Sequence, residues 1–200
     1  MIQLPYIEPV FRPPSEARSL ILQVTNGCSW NKCTFCEMYT QPQKRFRPRR
    51  QQEIEQELDA VARAGVPVRR IFLADGDAMT LSFRRLELIL QAIRRRLPDV
   101  QRVSSYCLPR NLKNKTVEQL AMLRELGLEL FYVGCESGDD LVLERVNKGE
   151  NFDTSLAALK KIKAAGAKSS VMILNGMGGE RYSQQHAVNS ARLMNEAQPE

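Results

Sequence analysis

The sequence contains very little histidine and no long apolar segment, and both absences exclude classes of function. A single histidine, His186, cannot supply a histidine-rich metal site. Apolar runs stay well short of the roughly 18 residues that a spanning helix needs, so we expect no membrane segment. The first twenty residues carry four prolines and two glutamates without the apolar core of a signal peptide. We therefore expect a cytoplasmic protein in a reducing compartment.

The remaining composition is that of an ordinary globular protein. Two hundred residues, 43% hydrophobic and 26% charged, suit one domain with a sizeable core. We interpret residues 1–19 as a proline-rich extension and residues 20–200 as the core domain. The net charge is +6, and basic residues cluster at 44–50 and 94–96. The first cluster indicates either an anionic partner or a solvated loop, and the second is typical of a helix end.

Three of the five cysteines lie close together, directly after an apolar segment. Cys28, Cys33 and Cys36 have the spacing C-x4-C-x2-C. In a reducing compartment, clustered thiols bind metal rather than form disulfides. Three thiolates would leave one iron of a [4Fe–4S] cluster open to a small molecule. A zinc site with a distant fourth ligand and three unrelated buried thiols remain open alternatives. We interpret the other two cysteines, Cys107 and Cys135, as buried core thiols.

The rest of the chain alternates short apolar strands with amphipathic helices. The pattern predicts strands at 20–25, 70–74, 103–108, 130–134 and 170–174. It predicts helices at 51–64, 83–97, 116–126, from Asp153 or Thr154 to 166, and from about 183, with Ser82 and Thr116 as N-caps. Strands that do not alternate are buried on both faces of a parallel sheet. We predict an α/β fold of five βα units, an open sheet or partial barrel, with a sixth strand and the C-terminal part missing.

Polar residues collect where the predicted strands end. These are Asp75-Gly76-Asp77, Ser104 and Ser105, Glu136-Ser137-Gly138 and the glycine-rich stretch 175–180. In parallel α/β folds, ligands bind at the carboxyl ends of the strands. A structural zinc does not need polar groups at several strand ends, whereas a small molecule bound beside a cluster does. The sequence therefore predicts a small-molecule site next to the three cysteines.

This combination resembles the radical S-adenosylmethionine (SAM) superfamily. The strand, glycine and three cysteines, with Phe35 before the last, look like the family's cluster loop, and Asp75-Gly76-Asp77 is similar to its Gly-Gly-Glu segment. Glu136-Ser137-Gly138 and Asn147-Lys148-Gly149 resemble subgroups that include RNA methylthiolation and oxygen-independent haem-synthesis enzymes. The stretch 176–180 resembles the family's Gly-x-Pro-Gly-Glu turn. One extra residue between Cys28 and Cys33 departs from the common C-x3-C spacing. A loop absorbs it at little cost, and the subgroup stays open.

The resemblance implies a radical SAM enzyme with a partial (βα)n barrel. Cys28, Cys33 and Cys36 would hold a [4Fe–4S] cluster whose fourth iron binds SAM. Reductive cleavage of SAM would give a 5′-deoxyadenosyl radical that abstracts hydrogen from an unidentified substrate. An electron donor such as flavodoxin or ferredoxin is an expected partner.

The resemblance also assigns the SAM contacts. Asp75, Gly76 and Asp77 would lie near the cationic methionine end. Glu136 or Ser104 would bind the ribose, and Phe35 and Gly176 would pack on the adenine. We interpret Arg47 as surface charge rather than a ligand of the SAM carboxylate, and Lys148 as a solvated loop lysine.

Two alternatives stay open at this point. One is a zinc- or cluster-stabilised module that binds nucleic acid through the basic run, and the other is a radical SAM enzyme that modifies RNA. An anionic substrate suits the charge balance, while nucleic acid binding and the reaction itself are not decided by the residues.

Overall fold

A computed structural model describes residues 4–199, which form a five-stranded parallel sheet covered by helices. The strands are β1 (Leu20–Gln23), β2 (Thr25–Asn26), β3 (Arg47–Pro48), β4 (Arg70–Ala74), β5 (Arg102–Cys107), β6 (Leu128–Glu136) and β7 (Lys168–Ile173). The helices are α1 (Gln51–Arg63), α2 (Phe83–Arg96), α3 (Val117–Glu125), α4 (Asp140–Arg145), α5 (Phe152–Ala164) and α6 (Gly179–Ala197). None of the described helices is both long and apolar enough to cross a membrane.

The order of strands in the sheet follows the order of the chain. It runs β1-β4-β5-β6-β7, and every neighbouring pair is parallel. A helix connects each strand to the next, as parallel pairing requires. The predicted α/β fold with five βα units is confirmed, and all carboxyl ends of the strands lie at one edge of the sheet.

Side chains on the two faces of the sheet enter two different cores. Val133 and Cys135 of β6 belong to the large core beneath the helices. Tyr132, the residue before Val133, points to the opposite face, where it packs with Phe72 and Ala74 in a smaller cluster. The central strands β4, β5 and β6 are therefore buried on both faces, as predicted, whereas β7 at the edge is mostly half-buried. Cys107 and Cys135 are confirmed as core thiols, and burial raises the pKa of Cys135 to about 12.

The predicted N-termini of α2 and α3 are confirmed, and both are marked by capping residues. Ser82 accepts a hydrogen bond from the Arg85 amide at 3.4 Å, and Thr116 forms a capping box with Gln119. The basic residues 94–96 occupy the last turn of α2, where they oppose the negative end of the helix dipole. The interpretation of this cluster as a helix end is therefore confirmed.

Four local predictions were wrong. The first strand divides after Gln23, because residues 25–26 leave the sheet to pair antiparallel with β3. Helix α4 was missed, since its six residues are too few for a helical pattern. Asn151, not Asp153 or Thr154, caps α5 and accepts from the Thr154 amide at 2.8 Å. Helix α6 begins at Gly179 instead of near Ser183, because the glycines of the preceding turn obscure its start.

Candidate functional site

The cysteine loop, residues 27–46, connects β2 to β3 and is fixed at its base. The side-chain amide of Asn26 donates to the carbonyl oxygens of Gln43 and Arg45 at 2.7 and 3.0 Å. Gly27 has φ +70°, and a Cβ there would overlap the carbonyl oxygen of Lys44. Only glycine permits both this conformation and this close approach. The loop therefore starts and ends at one defined point beside the carboxyl ends of the strands.

The far side of the loop is held by the segment that follows α4. Trp30 Nε1 donates to the Asn147 carbonyl at 2.8 Å, and the Thr34 amide donates to the Val146 carbonyl at 3.0 Å. The Arg110 guanidinium lies 3.9 Å from the Trp30 ring centre. Arg110 also donates to the carbonyls of residues 148 and 149 at 2.8 and 2.7 Å. The Asn147-Lys148-Gly149 segment thus positions the cysteine loop over the sheet.

A cavity of about 380 Å³ lies between the cysteine loop and the strand ends. Cys28, Cys33 and Cys36 all line it. The other lining residues that matter here are Phe35, Gly76, Tyr106, Glu136, Lys148 and Met172. The structure therefore brings the three cysteines together with three other predicted site residues, Phe35, Gly76 and Glu136.

The donor set fits an iron–sulfur cluster. Three thiols line one cavity, and no histidine among residues 4–199 lines it. A [4Fe–4S] cluster takes each thiolate on a separate iron, so its ligands surround a cavity instead of converging on a point. Burial is the main cause that raises the pKa of Cys28 and Cys33. Bound cationic iron would favour their thiolate forms.

An ion pair closes one wall of the cavity. Glu136 ends β6 with φ +66°, at the point where the register with β7 shifts. Its Oε1 lies 3.3 Å from Nζ of Lys148, whose side chain is only 5% exposed. Gly134 leaves room for this pair, since a Cβ there would lie 2.6 Å from Oε1 of Glu136. The interpretation of Lys148 as a solvated loop lysine was wrong, because the α4–α5 connection folds it into the cavity.

The two aspartates after β4 point away from the cavity. Asp75 is fully buried and pairs with Lys44, and Asp77 is fully buried and accepts a hydrogen bond from the Ser29 hydroxyl. Of the three residues Asp75-Gly76-Asp77, the cavity lining contains only Gly76. The carboxylates thus anchor the cysteine loop at both its ends, and the structure does not bring them to the cavity.

Three further candidates also lie away from the cavity. The Ser104 hydroxyl is buried and donates to the Ile71 carbonyl within the sheet. Gly176 is exposed in the turn after β7, and Arg47 is exposed on β3. The basic run 44–50 is divided as well, since Lys44 is buried and Arg49 pairs with Glu57 at 2.5 Å. It therefore does not form one continuous basic surface.

Sequence reasoning missed the contact that fixes the Glu136-Ser137-Gly138 segment. The Ser137 hydroxyl lies 2.8 Å from Nδ1 of the buried His186 on α6, and it accepts from the Asp139 amide at 3.0 Å. The Gly138 amide donates to the Ser190 hydroxyl at 2.9 Å. A lone histidine 49 residues away carries no local signal for this pairing, so only the fold reveals it.

Comparison with known proteins confirms the resemblance of the sequence to the radical SAM superfamily. The sequence profile of the radical SAM superfamily matches residues 22–191. The chain is 26% identical over 164 residues to 4′-phospho-dehydrooxetanocin synthase of Priestia megaterium, covering 74% of this chain and 22% of that protein. It is 22% identical over 167 residues to heme chaperone HemW of Bacillus subtilis (strain 168), covering 80% of this chain and 43% of that protein. The chain thus spans less than half the length of these relatives.

Solved structures share the fold. Coproporphyrinogen III oxidase (HemN) from Escherichia coli superposes with a TM-score of 0.69 at 17% identity, covering 90% of this chain and 42% of that one. The cobalamin-dependent SAM radical enzyme OxsB with aqua-cobalamin bound gives a TM-score of 0.68 at 18% identity, covering 88% and 26%. The five-stranded sheet is therefore the partial barrel of these enzymes.

Proposed function

This chain belongs to the radical SAM superfamily, whose enzymes use a [4Fe–4S] cluster and SAM, and we propose that it cleaves SAM reductively. One observation carries the proposal: Cys28, Cys33 and Cys36 line one cavity together with Gly76 and Glu136. When bound, the cluster and SAM supply a one-electron cleavage that yields methionine and a 5′-deoxyadenosyl radical for hydrogen abstraction from substrate.

The three thiolates would hold the cluster at the mouth of the cavity. Phe35 lies within the same loop and would pack against the adenine. Gly76 would present its main chain to the methionine end, while Asp75 and Asp77 hold the loop in place from behind. The predicted location of the site is thus kept, but the two carboxylates take a structural role instead of binding the methionine end.

Glu136 is the group best placed to bind the ribose. Its carboxylate accepts hydrogen bonds, and the neighbouring Lys148 ammonium fixes its position at 3.3 Å. Tyr106 and Met172 also line the cavity and would exclude water from the reacting groups. Among the described residues of the lining, Lys148 is the one cation, and its pairing with Glu136 holds that carboxylate at the cavity wall.

The proposed enzyme needs a one-electron donor such as flavodoxin or ferredoxin. Its thiolates are suited to a reducing cytoplasm, where disulfides are rare.

Anaerobic reconstitution with iron and sulfide, followed by SAM and dithionite, tests the function. We expect 5′-deoxyadenosine from the wild-type chain and none from Cys33→Ala. Cys135→Ala is the matched control, since it removes a core thiol that does not line the cavity. Absence of product from the wild type, or zinc in place of iron and sulfide after purification, would contradict the proposal.

A further inference from the structure

A second cleft, of about 690 Å³, lies on the other side of the cysteine loop. Ser29, the residue after Cys28, forms part of its wall. Arg110 lines this cleft and stacks on Trp30, which lines the first cavity. The cleft is thus separated from the cysteine cavity by little more than the loop itself.

The lining of this cleft is polar and basic. It contains Arg84, Arg110 and Lys115, and among residues 4–199 no acidic side chain contributes to it. Arg110 is paired with Glu150 at 2.7 Å, and Lys115 donates to two main-chain carbonyls. Arg84 is exposed and has no hydrogen-bond or ion-pair partner within the described part of the chain. The cleft therefore carries positive charge that the fold itself does not neutralise.

We propose that this basic cleft is the docking surface for an acidic one-electron carrier protein. The inference rests on the proposed function, which requires a donor that gives one electron and is itself oxidised by one electron. Electron transfer falls off steeply with distance, so a carrier must approach the cysteine loop closely. The second cleft has Ser29, the neighbour of Cys28, in its wall, and its positive charge complements an acidic surface.

Charge reversal at Arg84 tests the surface without touching the cysteine cavity. With reduced flavodoxin as the probe, we expect Arg84→Glu to lower the second-order rate of 5′-deoxyadenosine formation by about tenfold at low salt. Raising the ionic strength should slow the wild type toward the variant, because salt screens exposed charges. Dithionite does not need a protein docking surface, so it should support equal rates in both.

Arg95→Glu is the matched control. Arg95 is an exposed arginine in the last turn of the same helix, α2, far from the cleft, and its reversal changes the net charge equally. We expect wild-type rates from it with both reductants. Equal losses in Arg84→Glu and Arg95→Glu would overturn the proposal, as would no loss in Arg84→Glu.

A binding measurement separates this proposal from the function. Titration of oxidised flavodoxin into the full chain without cluster should show salt-sensitive binding that Arg84→Glu weakens. Failure of the wild type to bind flavodoxin at low salt would overturn the docking surface. Failure with dithionite but retained flavodoxin binding would instead overturn the proposed reaction and leave the surface standing.

Discussion

Two acidic segments end strands of the same sheet, yet the fold uses them in opposite ways. After β4, both carboxylates of Asp75-Gly76-Asp77 turn away from the cavity and bind Lys44 and Ser29. After β6, the carboxylate of Glu136 turns into the cavity, and its neighbour Ser137 binds α6 through His186. One segment supports the cysteine loop, and the other places a carboxylate in the cavity wall.

The difference teaches that an acidic residue at a strand end is not by itself a ligand. What decides its role is the partner that the tertiary structure places within reach. Asp75 has a buried lysine beside it, so its charge is used internally. Glu136 has Lys148 beside it at the cavity wall, so its carboxylate stays accessible to a bound molecule.

The largest expected effect comes from removing the partner of Asp75. Lys44→Met should lower the free energy of unfolding by about 3–5 kcal/mol, because it leaves a carboxylate buried without its counter-charge. Chemical denaturation of the chain measures this loss. The double variant Lys44→Met with Asp75→Leu should recover much of the stability, since no charge then remains buried. A loss below about 1 kcal/mol, the value of a surface pair, would contradict a structural role for Asp75.

A smaller loss is expected where the second segment is anchored. Ser137→Ala removes the hydrogen-bond partner of the buried His186 ring and of the Asp139 amide. We expect the free energy of unfolding to fall by about 1–3 kcal/mol. Ser183→Ala, on the exposed part of α6, is the control and should leave stability unchanged. Identical denaturation midpoints for Ser137→Ala and the wild type would show that this anchor is dispensable.

Glu136 should affect ligand binding more than folding. Glu136→Gln keeps the shape of the side chain but removes its charge, so we expect SAM to bind the reconstituted chain about tenfold more weakly. Equilibrium dialysis with labelled SAM measures the change. Glu129→Gln, an exposed glutamate on the same strand, is the control and should bind SAM normally. Unchanged affinity in Glu136→Gln would remove the proposed contrast between the two segments.

The smallest effect concerns pH. Burial raises the pKa of Asp77 above its ordinary value of 3.8, so the folded chain holds this proton more tightly than the unfolded chain. The free energy of unfolding should therefore decrease as pH rises from 3.8 through the raised pKa. Asp77→Asn should flatten this part of the stability profile, measured by denaturation across pH. A variant profile as steep as the wild type would exclude Asp77 as its source.

Much of the fold was predictable because it rests on local signals. Apolar strand segments, helical spacing and the caps at Ser82 and Thr116 are all readable along the chain, and the structure confirms them. Helix α4 and the β2–β3 ribbon were not predictable, because elements of two or six residues are too short to show a hydrophobic periodicity. Their stability comes from contacts with distant residues.

The candidate site was predictable in position but not in detail. The cysteine spacing located the loop, and the carboxyl-edge rule for parallel sheets located the cavity. The orientation of Asp75, Asp77 and Ser104 was not available, because it depends on partners up to 48 residues away. The structural roles of Lys148 and His186 were missed for the same reason. Each contacts a partner that is distant in sequence, and such a contact leaves no pattern along the chain.

The sequence by itself determined the order of βα units and the three closely spaced thiols, because both follow from periodicity and spacing along the chain. The tertiary structure alone decided which acidic groups face the cavity and which support the loop around it. Burial and charge pairing join residues that are remote in sequence, and the free energy of a charged group depends on those neighbours.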